Sequence, residues 1–162
     1  MQRRMLAMAE RLGMGSVRIT AQPAPETVMH SFEQVRSHVA DSHSLATNDP
    51  YLVSFDLTLS NNRHQGIYLT ELEDEDGVKH LRVSTPIGPF TGLDANRCLR
   101  FNWAQRTGFL ALSDLDGSPY LHLCENLPYS VLNESELDRV ISELATLGDG
   151  MEKMIDSGGD SF

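Results

Sequence analysis

The sequence predicts an α+β fold: an antiparallel β-sheet of about five strands packed by α-helices, in the order α-β-β-β-α-β-β-α. Three observations carry this. Residues 51–60 alternate strictly, with Tyr51, Val53, Phe55, Leu57 and Leu59 on one face and Ser54, Asp56, Thr58 and Ser60 on the other. That period of two means a strand in a sheet with one dry face. Two Asp-x-Asp-Gly tetrads, Asp74–Gly77 and Asp114–Gly117, each separate two apolar stretches. They predict tight hairpins, because Gly supplies positive φ and Asp tolerates it while capping the turn. The third is a long C-terminal stripe of Leu137, Val140, Ile141, Leu144, Leu147, Met151, Met154 and Ile155 at helical spacing.

The elements follow in chain order. Residues 1–25 form a basic, Met-rich extension, with Met5, Met8 and Leu12 at helical spacing among Arg3, Arg4 and Arg11. Glu10 and Arg11 interrupt its apolar run too early for a secretory leader, so the chain is read as cytoplasmic. A single domain spans 26–156. Its first helix covers about 26–41, with Pro25 at its start and Val28, Phe32, Val35 and Val39 as its stripe. Residues 42–50 read as a loop. Strands at 51–60, 65–73 and 78–85 form a meander through the turn Asn61-Asn62-Arg63 and the first acidic tetrad. Pro86-Ile87-Gly88-Pro89 ends it, since proline cannot donate to a ladder.

A short helix near 94–104 has Asp94 as N-cap, and strands 107–113 and 119–125 flank the second tetrad. The final helix, about 134–155, starts from Asn133, with Glu136 in the capping-box position and Leu132 and Leu137 as a hydrophobic staple. Gly148 and Gly150 weaken its centre and are expected to bend or end it. Residues 157–162 are expected to be a disordered tail.

Charge narrows the function. The chain of 162 residues carries a net charge of -10, all of it in residues 51–162. That disfavours a nucleic-acid binder or an anionic membrane as partner, both of which require a cationic surface. The two cysteines, Cys98 and Cys124, lie in no Cys-x-x-Cys pair and are read as reduced core thiols. No stretch approaches the roughly 20 apolar residues of a membrane span.

Motifs for chemistry are scarce. The acidic tetrads lack the ligand spacing of a calcium loop and read as turn chemistry. His30, His38, His43, His64, His80 and His122 include no helical metal pair, and His122 reads as a half-buried sheet position beside Tyr120 and Cys124. There is no nucleophile elbow and no phosphate loop. No catalytic residue, metal or cofactor is expected. Arg97, Arg100 and Arg106 cluster around the middle helix and are expected to pair with neighbouring carboxylates, with recognition of an acidic or phosphorylated group as the alternative. Trp103, the only tryptophan, is expected to be buried.

The element order looks like the type III secretion chaperone fold. Within it the sequence resembles the YbjN-like family of bacterial proteins linked to sensory transduction. The residues that carry this are Asn61-Asn62-Arg63-His64-Gln65-Gly66-Ile67-Tyr68-Leu69 and Leu81-Arg82-Val83-Ser84-Thr85-Pro86-Ile87-Gly88-Pro89. Leu99-Arg100-Phe101-Asn102, Phe109-Leu110-Ala111-Leu112 and the helix from Glu134 to Met151 complete the match, which covers about residues 50–155. The resemblance implies an often dimeric domain with no known catalytic centre, which holds an extended client segment against its sheet and helices. It leads to a non-enzymatic, chaperone-like protein-binding module as the first expectation. A small hydrolase using Asp and His residues is the alternative, as is a regulatory or structural subunit acting through its dimer face. Candidate partner contacts are Tyr51, Phe55, Tyr68, Arg97, Arg100, Phe101 and Trp103.

Overall fold

The computed structural model describes residues 27–60 and 62–156. The extension over 1–25 and the tail over 157–162, including the expected Met-rich helix, lie outside them. The described residues form one antiparallel sheet of six strands in the order β1-β2-β3-β4-β6-β5. The strands are β1 (Leu45–Asp49), β2 (Leu52–Thr58), β3 (His64–Glu73), β4 (Lys79–Pro89), β5 (Phe109–Leu115) and β6 (Ser118–Pro128). Helices α1 (Phe32–Ser42), α2 (Ala95–Ala104) and α3 (Glu134–Asp156) complete the fold, with a short 3₁₀ turn at Tyr129–Val131.

Register sorts the side chains. The cross-strand rows Phe55–Ile67 and Val53–Leu69–Val83 place one apolar set on one face. Thr85–Leu123–Leu110 continue it onto the far strands. These rows are buried and share a core cluster with Phe32, Val35 and Val39 of α1, Cys98 of α2 and Leu137, Val140, Ile141 and Leu144 of α3. Helix α3 packs chiefly on β4, with further contact to β3 and β6. Asn102 ties α2 to β5: its amide donates to the Leu110 carbonyl at 3.1 Å and accepts from the Leu110 N–H at 2.6 Å.

Both hairpin turns form as their chemistry requires. In the first, the Asp74 carboxylate accepts from the Asp76 and Val78 N–H groups at 3.0 and 2.8 Å, and Gly77 has φ of 77°. In the second, Asp116 and Gly117 lie between paired Leu115 and Ser118 with φ of 52° and 76°, the two positive values of a type I′ turn.

Four expectations need correction. Helix α1 begins at Phe32, not near 26. Ser31 caps it by accepting from the Gln34 N–H, and the Gln34 side chain reaches back past the cap to accept from the His30 N–H at 2.6 Å, a variant of the capping box. Val28 bridges Asn133 and the Met29 N–H donates to Leu132 at 2.7 Å, so this stretch runs extended along the start of α3. Residues 45–49 are a strand, not a loop, paired with β2 at the sheet's edge. Strand β4 continues through Pro86 to Pro89. The Pro86 carbonyl accepts from Gln65 of β3, while the β3–β4 ladder ends at Tyr68–Ser84. The missing N–H of Pro86 therefore falls where no ladder partner waits, and a bulge between Pro86 and Gly88 absorbs the irregularity.

Helix α3 is likewise unbroken at its glycines. At Gly148 the helix sits tight against the sheet: a Cβ there would lie 2.9 Å from Thr85 Cγ2, 3.3 Å from Gln65 Nε2 and 3.4 Å from Ile87 Cδ1. A Cβ on Gly150 meets nothing within 4 Å. The two glycines therefore respond oppositely to alanine. Gly150→Ala is expected to stabilise by roughly 0.5–1 kcal/mol through helix propensity alone. Gly148→Ala gains the same propensity but overpacks the interface at a cost of about 1–3 kcal/mol, for a net loss of about 1 kcal/mol. Urea denaturation of the two variants checks the sign of each.

Candidate functional site

All three described helices add their buried residues to a single core, so among the described residues no helix lies over the opposite face of the sheet. Its central row sets small residues around Tyr68: Ser54 pairs with Tyr68, Tyr68 with Ser84 and Ser84 with Cys124. Ser54, Ser84 and Cys124 are buried although no described helix covers them. Larger neighbours stand above this low floor and enclose a trough of about 320 Å³. Its walls are Leu52, Tyr68, Arg82, Pro86, Leu112 and Leu115, with His122 toward one side. That volume sits at the small end of the range for ligand pockets, which begins at about 300 Å³.

The trough is apolar at its rim and sparsely polar inside. Tyr68, Leu112 and Leu115 are exposed. The His122 Nε2 atom is buried with no hydrogen-bond partner, and the Tyr120 ring meets the imidazole edge-on at 5.8 Å. Burial holds the His122 imidazole below its ordinary value and so favours the neutral ring. Burial also pushes the Cys124 thiol up, only partly opposed by nearby Arg82. A protonated thiol is a poor nucleophile. Arg82 directs its Nε–H to Asn126 at 2.9 Å.

The sequence-derived candidates divide between this trough and α2. Tyr68 lines the trough, and Tyr51, 69% exposed, stands at the β1–β2 turn beside Leu52. Phe55 is a correction: it is 1% exposed, a core residue whose ring stacks on His43 at 4.3 Å, and it offers no surface to a partner. Phe101 is half-buried and packs against the core from α2. Trp103 reverses its expectation, being 92% exposed, and Leu99 one turn earlier is 67% exposed. Arg97 is half-buried and Arg100 exposed. Among the described residues none of Arg97, Arg100 and Arg106 pairs with a carboxylate, contrary to the expected ion pairs. Sequence reasoning missed Leu52, Leu99, Leu112 and Leu115. The small side chains Ser54, Ser84 and Cys124 at alternating positions were the available sign of a hollow face.

Asp and His side chains meet outside the trough. His38 Nε2 lies 2.8 Å from Asp138 and its Nδ1 3.8 Å from Glu134, joining α1 to the first turns of α3. Both carboxylates are exposed. His64 Nδ1 lies 3.2 Å from Thr58 Oγ1 across the β2–β3 ladder. The carboxylate of Glu136, expected to close the α3 capping box, is instead bound by Arg139, which holds it below the usual carboxylate range. Among the described residues no group of three or more His, Cys, Asp or Glu is placed to hold a metal ion. No described helix is long and apolar enough to cross a membrane.

No protein-family model matches the chain. No curated protein matches it either. Solved structures do. The chain is similar to a chain of the HopA1–SchA chaperone–effector complex, with 16% identity and a TM-score of 0.51 over 74% of this chain and 88% of that one. It is also similar to a chain of the Yersinia pestis type III secretion chaperone SycH in complex with a stable fragment of YscM2, with 17% identity and a TM-score of 0.48 over 73% and 94%. The order of helices around one antiparallel sheet is the α+β fold of the type III secretion chaperones.

Proposed function

We propose that this chain is a non-enzymatic, cytoplasmic, chaperone-like module that holds an extended segment of a partner protein along its open sheet face. The observation that carries the reading is the trough beside the free edge of β5. Among the described residues strand β5 pairs only with β6, so its other edge has main-chain donors and acceptors to offer. A segment laid along that edge gains ladder hydrogen bonds and turns an apolar side chain into the trough beside Leu115. The chaperone–effector complex of similar fold supports the reading by analogy. The narrower YbjN-like likeness and a homodimer belong to the same proposal.

Binding is favoured over catalysis by what lines the trough. No carboxylate lies among its described residues, so His122 has no acid to orient it as a base. The hydrolase alternative would have to use His38 with Asp138, whose exposed carboxylate sits in water rather than in a pocket.

A photo-crosslinking residue at position 115 or 68, in the full chain in its native cell, is expected to capture one polypeptide through one segment. The same residue at Val78, exposed in the β3–β4 turn, is the control. Tyr68→Ala is expected to weaken capture by roughly tenfold, as for an interface anchor worth about 1.4 kcal/mol. Equal labelling from position 78 would sink the docking site. Sedimentation at micromolar concentration is expected to give a dimer, and a strict monomer removes that part.

Acid is expected to weaken docking. The His122 imidazole is already held below its ordinary value by burial, and an occupant of the trough removes its remaining water. Protonation is then harder in the bound state than in the free one, so affinity falls as pH drops from about 7 toward about 5. His122→Gln should flatten that dependence in a pH series of binding measurements.

A further inference from the structure

Helix α2 has two apolar sides. Cys98, Phe101 and the hydrogen-bonded Asn102 face the core. Leu99 and Trp103, one turn apart, face away from it and are 67% and 92% exposed. No described element packs over them. Arg97 and Arg100 lie in the same helix, and Arg106 follows just after its end.

The charge around this ridge is opposite in sign to the balance of residues 51–162, which carry the whole deficit of the net charge of -10. Three arginines of the fold have acidic partners: Arg36 with Glu33, Arg63 with Asp149 and Glu152, and Arg139 with Glu136 and Glu143. Arg82 pairs with Asn126 instead. Arg97, Arg100 and Arg106 are left without a carboxylate among the described residues. Asp94, the nearest acid in sequence, accepts the Asn96 N–H at 2.9 Å as the helix cap.

We propose that the ridge of Leu99 and Trp103, with Arg100 one turn before Trp103 and Arg106 just past the helix end, docks an acidic segment of a partner protein that carries an apolar anchor side chain. The anchor covers the Leu99–Trp103 stripe, and partner carboxylates take the forked guanidinium donors. A second copy of the chain fits this ridge poorly. A two-fold contact centred on Trp103 would bring Arg100 and Arg106 toward their own images, and like charges oppose that. A nucleic acid or an anionic membrane meets the same arginines, but its extended charge is repelled by the acidic remainder of residues 51–162. A short acidic segment meets only the local patch. The inference rests on the protein-binding reading above, but it concerns a surface separate from the trough.

Trp103 is the sole tryptophan and reports on the ridge directly. The full chain is titrated with three synthetic peptides: one alternating Glu with Leu and Phe, one with Lys in place of Glu, and one with Ser in place of the apolar residues. The Glu/Leu/Phe peptide is expected to shift the emission to the blue. Its affinity is expected to fall by roughly tenfold between about 50 mM and about 500 mM salt, as screening removes the charge term. The R100A/R106A variant is expected to lose at least roughly tenfold in affinity. Arg100→Ala alone, with its fold checked by circular dichroism, is expected to lose several-fold. The Lys and Ser peptides are expected to leave the emission unchanged. No shift with the Glu/Leu/Phe peptide overturns the proposal, as does an equal shift with the Lys peptide. A shift produced instead by anionic phospholipid vesicles assigns the ridge to a membrane and overturns it. So does a shift on concentrating the protein alone, which assigns the ridge to a second copy. Crosslinking from position 115 is read on the same protein, so a failure at the ridge and a failure at the trough are told apart.

Discussion

The seat of α3 on the sheet is the contact on which the architecture depends. At Gly148 the helix backbone comes within van der Waals reach of Thr85, Gln65 and Ile87, closer than any side chain would permit. That approach lets Leu137, Val140, Ile141 and Leu144 reach the rows of β3, β4 and β6 from one side. Because α1 and α2 feed the same core, the fold spends its apolar helical surface on one face of a sheet six strands wide. Among the described residues no helix packs on the other face, and Ser54, Ser84 and Cys124 give it a low floor.

The same seat carries a polar network. Gln65 is 1% exposed and donates from one nitrogen toward Thr85 Oγ1 at 2.7 Å and Glu152 Oε1 at 2.8 Å. Arg63, at the end of the β2–β3 turn, pairs with Asp149 and Glu152 of the helix, and Lys153 also meets Asp149. Buried polar groups cost free energy unless they are paired, so an axial or rotational slip of α3 would strand several at once. The network therefore sets the helix's position along the sheet, a job that apolar contacts alone specify less sharply.

The legible parts of the fold were those whose pattern is local. Val53 and Phe55 alternate, the acidic tetrads turn, and the α3 stripe repeats, because each obeys the geometry of its own element. The start of α1 was misread because Val28 keeps the helical phase of Phe32, Val35 and Val39, while tertiary pairing of Val28 with Asn133 wins its backbone. The signal was present in Ser31 and Gln34. Strand β1 has only Leu45 and Ala46 as apolar residues, and its bulged edge position needs no alternation. The site was less legible. Residue type alone sends Trp103 inward, yet which side of α2 meets the core is decided by Cys98, Phe101 and the Asn102 clasp on β5. Whether Arg97, Arg100 and Arg106 find acids depends on where distant turns end up, which no local spacing encodes.

The place of β6 in the sheet has a kinetic consequence. It lies between β4 and β5, so the central ladder from His80–Pro128 to Pro89–Tyr120 joins segments separated by all of α2 and β5. The hairpin of β5 and β6 has its own type I′ turn and closes locally, as does the meander from β2 to β4. Refolding should therefore wait on the docking of two preassembled halves, since closing that long loop costs entropy before the ladder repays it. Substitutions along the β4–β6 seam would slow refolding, whereas those at the hairpin tips would mainly hasten unfolding.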